Sequence, residues 1–361
     1  MRALVPETSL ELFSACPLQH MSQSRSSYLQ RVLDVAQWSE EGGYKGILIY
    51  TANNAQADPW LLAQVIIQSS KTLCPLVAVQ PIYMHPFTVA KLVSSLSNLY
   101  GRKIFLNMVA GGSKTDLQAL NDTTPHDRRY DRLIEYTSII KALCASSAPV
   151  SYDGEFYKLD TLRMIPPMPQ DLFPGFFISG SSEAGFAAAR TIGATTVRYP
   201  KPAEEDDSSF PADATNLGIR VGIIAREDEE HAWQVAHARF PEDRRGQITH
   251  MLAMSRSDSV WHQQLQKTNE HQVSEGRSPY WLTPFQNYKE YCPYLVGDYA
   301  RVAQELARYI ATGHTTFILD IPPDGEESRH INVAFKRALE LIASSHAAAG
   351  AIEPILAREE S

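Results

Sequence analysis

Cysteine is scarce in this chain: four in 361 residues, Cys16, Cys74, Cys144 and Cys292, with no Cys-x-x-Cys pair among them. Such spacing argues against a zinc ribbon or a dense disulfide framework, and the expected compartment is the reducing cytoplasm. No window approaches the ~18 continuous apolar residues of a membrane span, and Met1 to Pro17 lacks the long apolar core of a secretory signal. Basic clusters are missing too. The 33 Lys and Arg are scattered among 41 Asp and Glu, for a net charge of −8, so neither nucleic acid nor an anionic membrane surface is expected as a partner. A small, neutral or weakly charged substrate fits better. There is no Gly-x-Ser-x-Gly elbow, no Walker A loop, no His-Glu-x-x-His and no Gly-x-Gly-x-x-Gly after a strand. A hydrolase triad or a nicotinamide Rossmann domain therefore has no local support. The histidines, His20 and His85 among them, show no metal-ligand spacing, and no metal is expected.

What is present is a 44% hydrophobic chain with a repeating rhythm. Apolar β-type runs occur at Leu10 to Cys16, Gly46 to Tyr50, Leu76 to Pro81, Lys103 to Val109, Gly175 to Ser179, Thr195 to Tyr199, Ile219 to Ala225 and Thr315 to Asp320. Between them, Leu29, Val32, Leu33 and Ala36 share a helical face, as do Val302, Leu306 and Ile310, and Phe335, Ala338, Leu339 and Ile342. Eight β runs alternating with amphipathic helices predict one α/β domain over residues 1–361, a parallel (β/α)8 TIM barrel. Asp298 is placed to cap a helix starting at Tyr299, and Gly313 stands where a C-terminal glycine belongs. Two insertions break the alternation, at about 146–173 and 240–294. Asp153-Gly154 predicts a hairpin turn in the first. The second is polar and then aromatic (SPYWLTPFQNYKEYCPY), the composition of a lid that orders over a ligand and selects the substrate. Glu204 to Ser209 reads as a solvated loop.

A barrel presents its chemistry at the C-terminal ends of its strands, which nominates Cys16, Tyr50, Gln80, Asn107, Ser179 and Arg220. Asn107 offers a donor and an acceptor on a short arm, followed by Gly111-Gly112, where bare backbone can approach a flat polar ligand; a structural strand-end asparagine is the even alternative. Gly180, Ser181 and Ser182 follow an apolar strand and open a helix, an arrangement that suits a phosphate, although an ordinary N-cap with Glu183 in the first turn explains the same residues. In PHDRRYD, His126 and Tyr130 fall one helical turn apart and can both donate hydrogen bonds; a solvated helix start is the plain alternative.

Taken in order, GYKGILIY, LVAVQP, HPFTVAK, FLNMVAGGSK, PHDRRYD, DGEFY, FISGSSEAG and LVGD resemble the bacterial luciferase-like flavin-dependent monooxygenases from Leu10 to about Ile342, closest in pattern to alkanesulfonate monooxygenase. The resemblance implies a luciferase-like barrel that binds FMN. Asn107 would lie near the ring, His126 and Tyr130 along the ribityl and phosphate side, and Gly180, Ser181 and Ser182 at the phosphate. It implies a two-component enzyme, with FMNH2 supplied by a separate NAD(P)H:flavin reductase and O2 as co-substrate. A flavin (hydro)peroxide would oxygenate a small organic or secondary-metabolite-type substrate. It further implies a homodimer or higher oligomer, with Trp60 to Ile67 as an apolar pairing surface, and a non-proline cis peptide near Ala78-Val79. Departures from the alkanesulfonate pattern fall at Gly222, where a histidine is replaced, at Gln56 for a cysteine, near Tyr288 or Lys289 for an arginine, and at about Pro322 for a tyrosine. They point to a changed substrate, a secondary-metabolite or amino-acid-like compound rather than a simple alkanesulfonate, with Arg220 and Lys289 as candidate catalytic anchors. Two other readings stay open: a deazaflavin-dependent dehydrogenase of the same superfamily, and a non-catalytic flavin-binding homologue or subunit.

Overall fold

The computed structural model describes residues 10–18, 25–55, 57–180, 182–202, 216–254 and 278–359. Eight parallel strands close into a barrel. They are β1 (Glu11–Ala15), β2 (Gly46–Ile49), β3 (Cys74–Val79), β4 (Phe105–Met108), β7 (Gly175–Ser179), β8 (Thr195–Arg198), β9 (Leu217–Arg220) and β13 (His314–Ile318), and β1 pairs with both β2 and β13. All eight expected β runs supply one barrel strand each. Edge-to-face contacts at 5.3, 5.6 and 5.7 Å among Phe13, Phe105 and Phe177 fill the interior, so the barrel is packed rather than a pore.

Three features differ from the sequence expectation. The run from Ile219 to Ala225 divides at Val221. The Val221 amide donates to Ile318 O at 3.0 Å inside the barrel, while the next amide, of Gly222, donates to Pro293 O at 2.8 Å outside it. From there β10 (Gly222–Arg226) joins β12 (Tyr294–Asp298) and β11 (Tyr280–Trp281) in a separate three-stranded sheet. The peptide between Ala78 and Val79 is trans; the cis bond among the described residues is Ile165–Pro166. Finally, the expected helical faces rotate slightly. Val32, Val35 and Ala36 of α1 (Arg25–Glu41) are buried with Leu29 exposed, and Leu339 is likewise exposed on the last helix (Gly325–Glu359).

Local signals behave as the residues demand. In α2 (Pro59–Ser69), Asp58 accepts the Trp60 amide at 2.8 Å. Asp298 caps the helix Tyr299–Ala311 by accepting the Arg301 amide at 2.8 Å, and Gly313 just beyond it has φ +97°. The apolar run of α2 turns inward, burying Trp60, Leu62, Ala63, Ile66 and Ile67. Leu61 stays exposed, next to Gln64 and Gln68, which donate to the Tyr100 hydroxyl at 3.0 and 3.1 Å.

The first insertion forms the expected hairpin, β5 (Val150–Asp153) against β6 (Lys158–Leu162). Its turn is held by Glu135, which accepts the amides of Glu155, Phe156 and Tyr157 at 2.9, 2.9 and 3.3 Å. In the second insertion, a helix over Arg244–Met254 precedes residues 255–277, which lie outside the described residues. The aromatic half returns as β11 and a short helix (Thr283–Gln286) before β12, and Trp233, Phe240, Trp281, Cys292 and Tyr294 build a second core beside the barrel. Glu204 to Ser209 also lies outside the described residues. Among those described, no helix is long and apolar enough to cross a membrane.

Candidate active site

Polar side chains gather at the C-terminal ends of the barrel strands, where the sequence placed them. On β4, Asn107 is buried, and its Oδ1 accepts the Ser179 hydroxyl at 3.0 Å, so two neighbouring strand ends orient one amide. Its NH2 group has no partner among the described residues. Gly111 has φ +102°, and a Cβ there would stand 3.2 Å from Gln80 Nε2; a Cβ on Gly112 would meet nothing within 4 Å. Backbone after β4 is therefore open at Gly112, while Gly111 is buried against Leu117 and Gln80. Next to it, where Ala78 pairs in register with Asn107, a cleft of about 370 Å³ runs past Thr51, Ala78, Val79, Gln80 and Met84 to Trp60, whose buried indole N–H donates to no described group. Gln56, at the same loop, lies outside the described residues.

The rim beyond β7 collects the second group of candidates. The helix His126–Ala145 points the Tyr130 hydroxyl between Gly180 and Gly185, 3.3 Å from where a Cβ on either would sit. The His126 ring meets Tyr130 edge-on at 5.3 Å, and its Nδ1 lies 2.7 Å from Asp127 Oδ1. Ser182 caps the helix Glu183–Ile192 by accepting the Gly185 amide at 3.1 Å. The plain reading of Ser182 thus holds, and its hydroxyl proton remains available. The Gly180 amide is not free: it donates to Val197 O at 3.2 Å. Ser181 lies outside the described residues. His126, Tyr130, Gly180 and Ser182 do converge.

Across the mouth stands a denser cluster. Arg220, closing β9, donates to the Tyr50 hydroxyl and lies over that ring, 5.0 Å from its centroid. Burial opposes its charge, but Tyr50, Tyr199, Cys292 and Asp320 around it hold its pKa above the ordinary value. Asp320, two residues past β13, accepts the Tyr294 hydroxyl at Oδ2, and Glu290 presses its carboxyl against Asp320. Burial first, and then Asp320, push Glu290 well above the usual carboxylate range. Lys289 is not part of this group. Its Nζ pairs with Asp243 at 2.7 Å on the outside of the insertion, and its neighbour Glu290 reaches the cluster instead.

The model of the family described as luciferase-like monooxygenase matches residues 10–316. This chain belongs to that family. As a luciferase-like monooxygenase it is an oxidoreductase. It is similar to the 4-(γ-L-glutamylamino)butanoyl-[BtrI acyl-carrier protein] monooxygenase BtrO of Niallia circulans, with 32% identity over 330 residues, 90% of this chain and 96% of BtrO. In fold it is similar to riboflavin lyase RcaE (TM-score 0.71, 15% identity, 94% of this chain and 92% of that one). EDTA monooxygenase EmoA from Chelativorans sp. BNC1 is another such structure (TM-score 0.68, 15% identity, 94% of each chain). Neither the family match nor these relatives carries alkanesulfonate specificity.

Within this luciferase-like site the departure at Gly222 has a physical explanation. A Cβ there would lie 2.3 Å from Tyr294 Cζ, because the Tyr294 ring occupies the space that a side chain at 222 would need. Sequence reasoning missed Tyr199, Glu290, Cys292, Tyr294 and Asp320. Tyr199 and Asp320 carried a usable signal, since each closes a β run by the rule that nominated Tyr50 and Arg220. Glu290, Cys292 and Tyr294 come from the insertion and carried none. Among the described residues no cluster of His, Cys, Asp or Glu could hold a metal.

Proposed function

We propose that the chain is an FMNH2- and O2-dependent monooxygenase of the two-component kind, acting on an amino-acid-derived acyl group delivered as a thioester on a carrier protein. The observation that carries this reading is the 32% identity to BtrO along 96% of its length. Support for the cofactor comes from Asn107 and the open backbone at Gly112, which suit the edge of a flat polar ring, and from Tyr130, His126 and Ser182, which would line its phosphate side; Gly180 and Ser181 join them on the sequence pattern. Bound reduced FMN would supply the electrons and the means of activating oxygen. The chain's own contribution is to orient the ring through Asn107 and to keep water out with the aromatic insertion that carries Trp281, Tyr291 and Tyr294. Arg220 offers a fixed cation at the mouth. No dinucleotide-binding fingerprint is present in the sequence, which supports a separate NAD(P)H:flavin reductase, and the reducing cytoplasm is the compartment proposed for both. Two copies would pair through the face bearing Leu61 and Leu99, both exposed, next to Tyr100.

The test is an anaerobic titration with reduced and with oxidised FMN, followed by admission of oxygen while the spectrum is recorded. Preferential binding of the reduced form, and reoxidation slower than that of free reduced FMN, are expected. Equal binding with reoxidation at the free rate would overturn the FMN reading; turnover with reduced deazaflavin in the absence of oxygen would replace it with a dehydrogenase.

A further inference from the structure

Fully buried polar atoms in this protein are mostly satisfied, and the contrast between two buried carboxylates is informative. Glu327 meets Arg226 with both oxygens, at 2.9 and 3.2 Å, and Arg239 as well. That is how a structural buried carboxylate is stabilised, since an unpaired one costs several kcal/mol. Asp320 is treated differently. No cation among the described residues meets it: its Oδ2 accepts the Tyr294 hydroxyl, the carboxyl of Glu290 hydrogen-bonds to it, and its buried Oδ1 has no donor in direct hydrogen-bond geometry. On the adjoining strand, Arg220 donates to the Tyr50 hydroxyl and hydrogen-bonds to Cys292, while its Nε is buried without an acceptor. Arg220 pairs in register with Ile318, two residues before Asp320, so an orphan donor and an orphan acceptor stand on neighbouring strand ends.

We propose that Arg220 and Asp320 form a subsite for the zwitterionic α-amino acid end of the substrate, Arg220 receiving its carboxylate and Asp320, backed by Glu290, its ammonium. The assignment rests on the carrier-bound, amino-acid-derived substrate proposed above. By its name, the BtrO substrate ends in a γ-L-glutamyl group, whose free end is an α-amino acid. Charges balance when Glu290 keeps its proton: guanidinium and ammonium against Asp320 and the incoming carboxylate. The upward push on the Glu290 carboxyl from burial and from Asp320 agrees with this. Tyr50, Tyr199, Tyr291 and Tyr294 surround the group, and their rings and hydroxyls suit a desolvated ammonium. The subsite would hold the far end of the acyl chain inside the barrel mouth, leaving the thioester end toward the carrier.

The experiment uses three pantetheine thioesters of equal length: the 4-(γ-L-glutamylamino)butanoyl compound, its glutaryl analogue lacking the ammonium, and its 4-aminobutanoyl analogue lacking the carboxylate. Equilibrium binding to the full chain is measured for each, alongside FMNH2-dependent turnover. The parent is expected to bind at least tenfold tighter than either analogue. Asp320→Asn should abolish the preference over the glutaryl analogue while preserving the preference over the aminobutanoyl one, and Arg220→Gln should do the reverse. This crossed pattern cannot arise from general misfolding. Equal binding of all three thioesters, or a uniform loss in both variants, would overturn the subsite and leave the monooxygenase reading intact. Binding preference without any oxygen-dependent turnover would support the subsite while defeating that reading. Failure of all three to bind would remove the substrate class and the subsite together.

Discussion

Replacing Gly222 with alanine tests whether the Tyr294 ring fills the space beside this strand. The new Cβ would stand 2.3, 2.4 and 2.5 Å from three carbons of the Tyr294 ring, where ordinary contact begins at 3.4 Å, so the ring must retreat by about 1 Å. It has nowhere to go. Tyr294 is 2% exposed, Phe240 lies 5.1 Å away edge-on, and Gly222 and Tyr294 are register partners in one ladder. Overpacking of this kind costs about 1–3 kcal/mol. Dragging the hydroxyl off Asp320 adds roughly 1.5–3 kcal/mol, the range for a hydrogen bond to a charged group. A total of about 2.5–6 kcal/mol corresponds to a fall in Tm on the order of 3–8 °C for a chain of this size. Tyr294→Ala alone should cost about 3–5 kcal/mol through the cavity it leaves, yet in that background Gly222→Ala should cost less than ~0.5 kcal/mol. Thermal scans and urea titrations of the two single variants and the double variant measure the coupling. Additive losses, or a Gly222→Ala protein as stable as the parent, would refute the claim that Tyr294 fills this space.

His314 is buried, with Nδ1 2.9 Å from Tyr309 O, and burial, then Arg198, lower its pKa to about 4. The unfolded chain binds the proton first, so this contribution is complete above pH 6.5 and is lost as pH falls toward 4, by up to about 3 kcal/mol. Urea midpoints at pH 7 and pH 4.5 should therefore diverge, and His314→Gln should reduce the divergence; an unchanged slope would count against it. Glu327→Gln leaves the buried Arg226 and the half-buried Arg239 without their carboxylate and should cost roughly 3–5 kcal/mol in the same assay, with a loss under 1 kcal/mol contradicting the contrast drawn with Asp320. Asn107→Ala should weaken reduced-FMN binding by about 1–3 kcal/mol, roughly fivefold to 140-fold, with little change in Tm. An unaltered titration would remove Asn107 from the cofactor site.

The barrel was legible because its information is local. Each strand announces itself by a short apolar run, each following helix by its spacing, and caps such as Asp298 by one side chain and its own backbone. Asn107, Arg220, His126 and Tyr130 were legible for the same reason: a strand end or one helical turn places them whatever the remainder of the chain does. Trp60 to Ile67 was apolar on too many sides to show which face the barrel would cover. The division at Val221 was invisible, since Ile219 to Ala225 is one unbroken apolar run and only the partners of two successive amides, Ile318 O and Pro293 O, separate it into two sheets. Glu290 was invisible as well, because Lys289 and Glu290 are adjacent charged residues in an irregular loop whose path is set by the distant core of Trp233, Phe240 and Trp281. By itself, then, the sequence determined the alternation of strands and helices, and with it the end of the barrel that carries the chemistry. Tertiary structure alone decided that Glu290 faces Asp320 and Arg220 while Lys289 faces Asp243, because which side chain of a loop turns inward depends on contacts with residues far outside the loop itself.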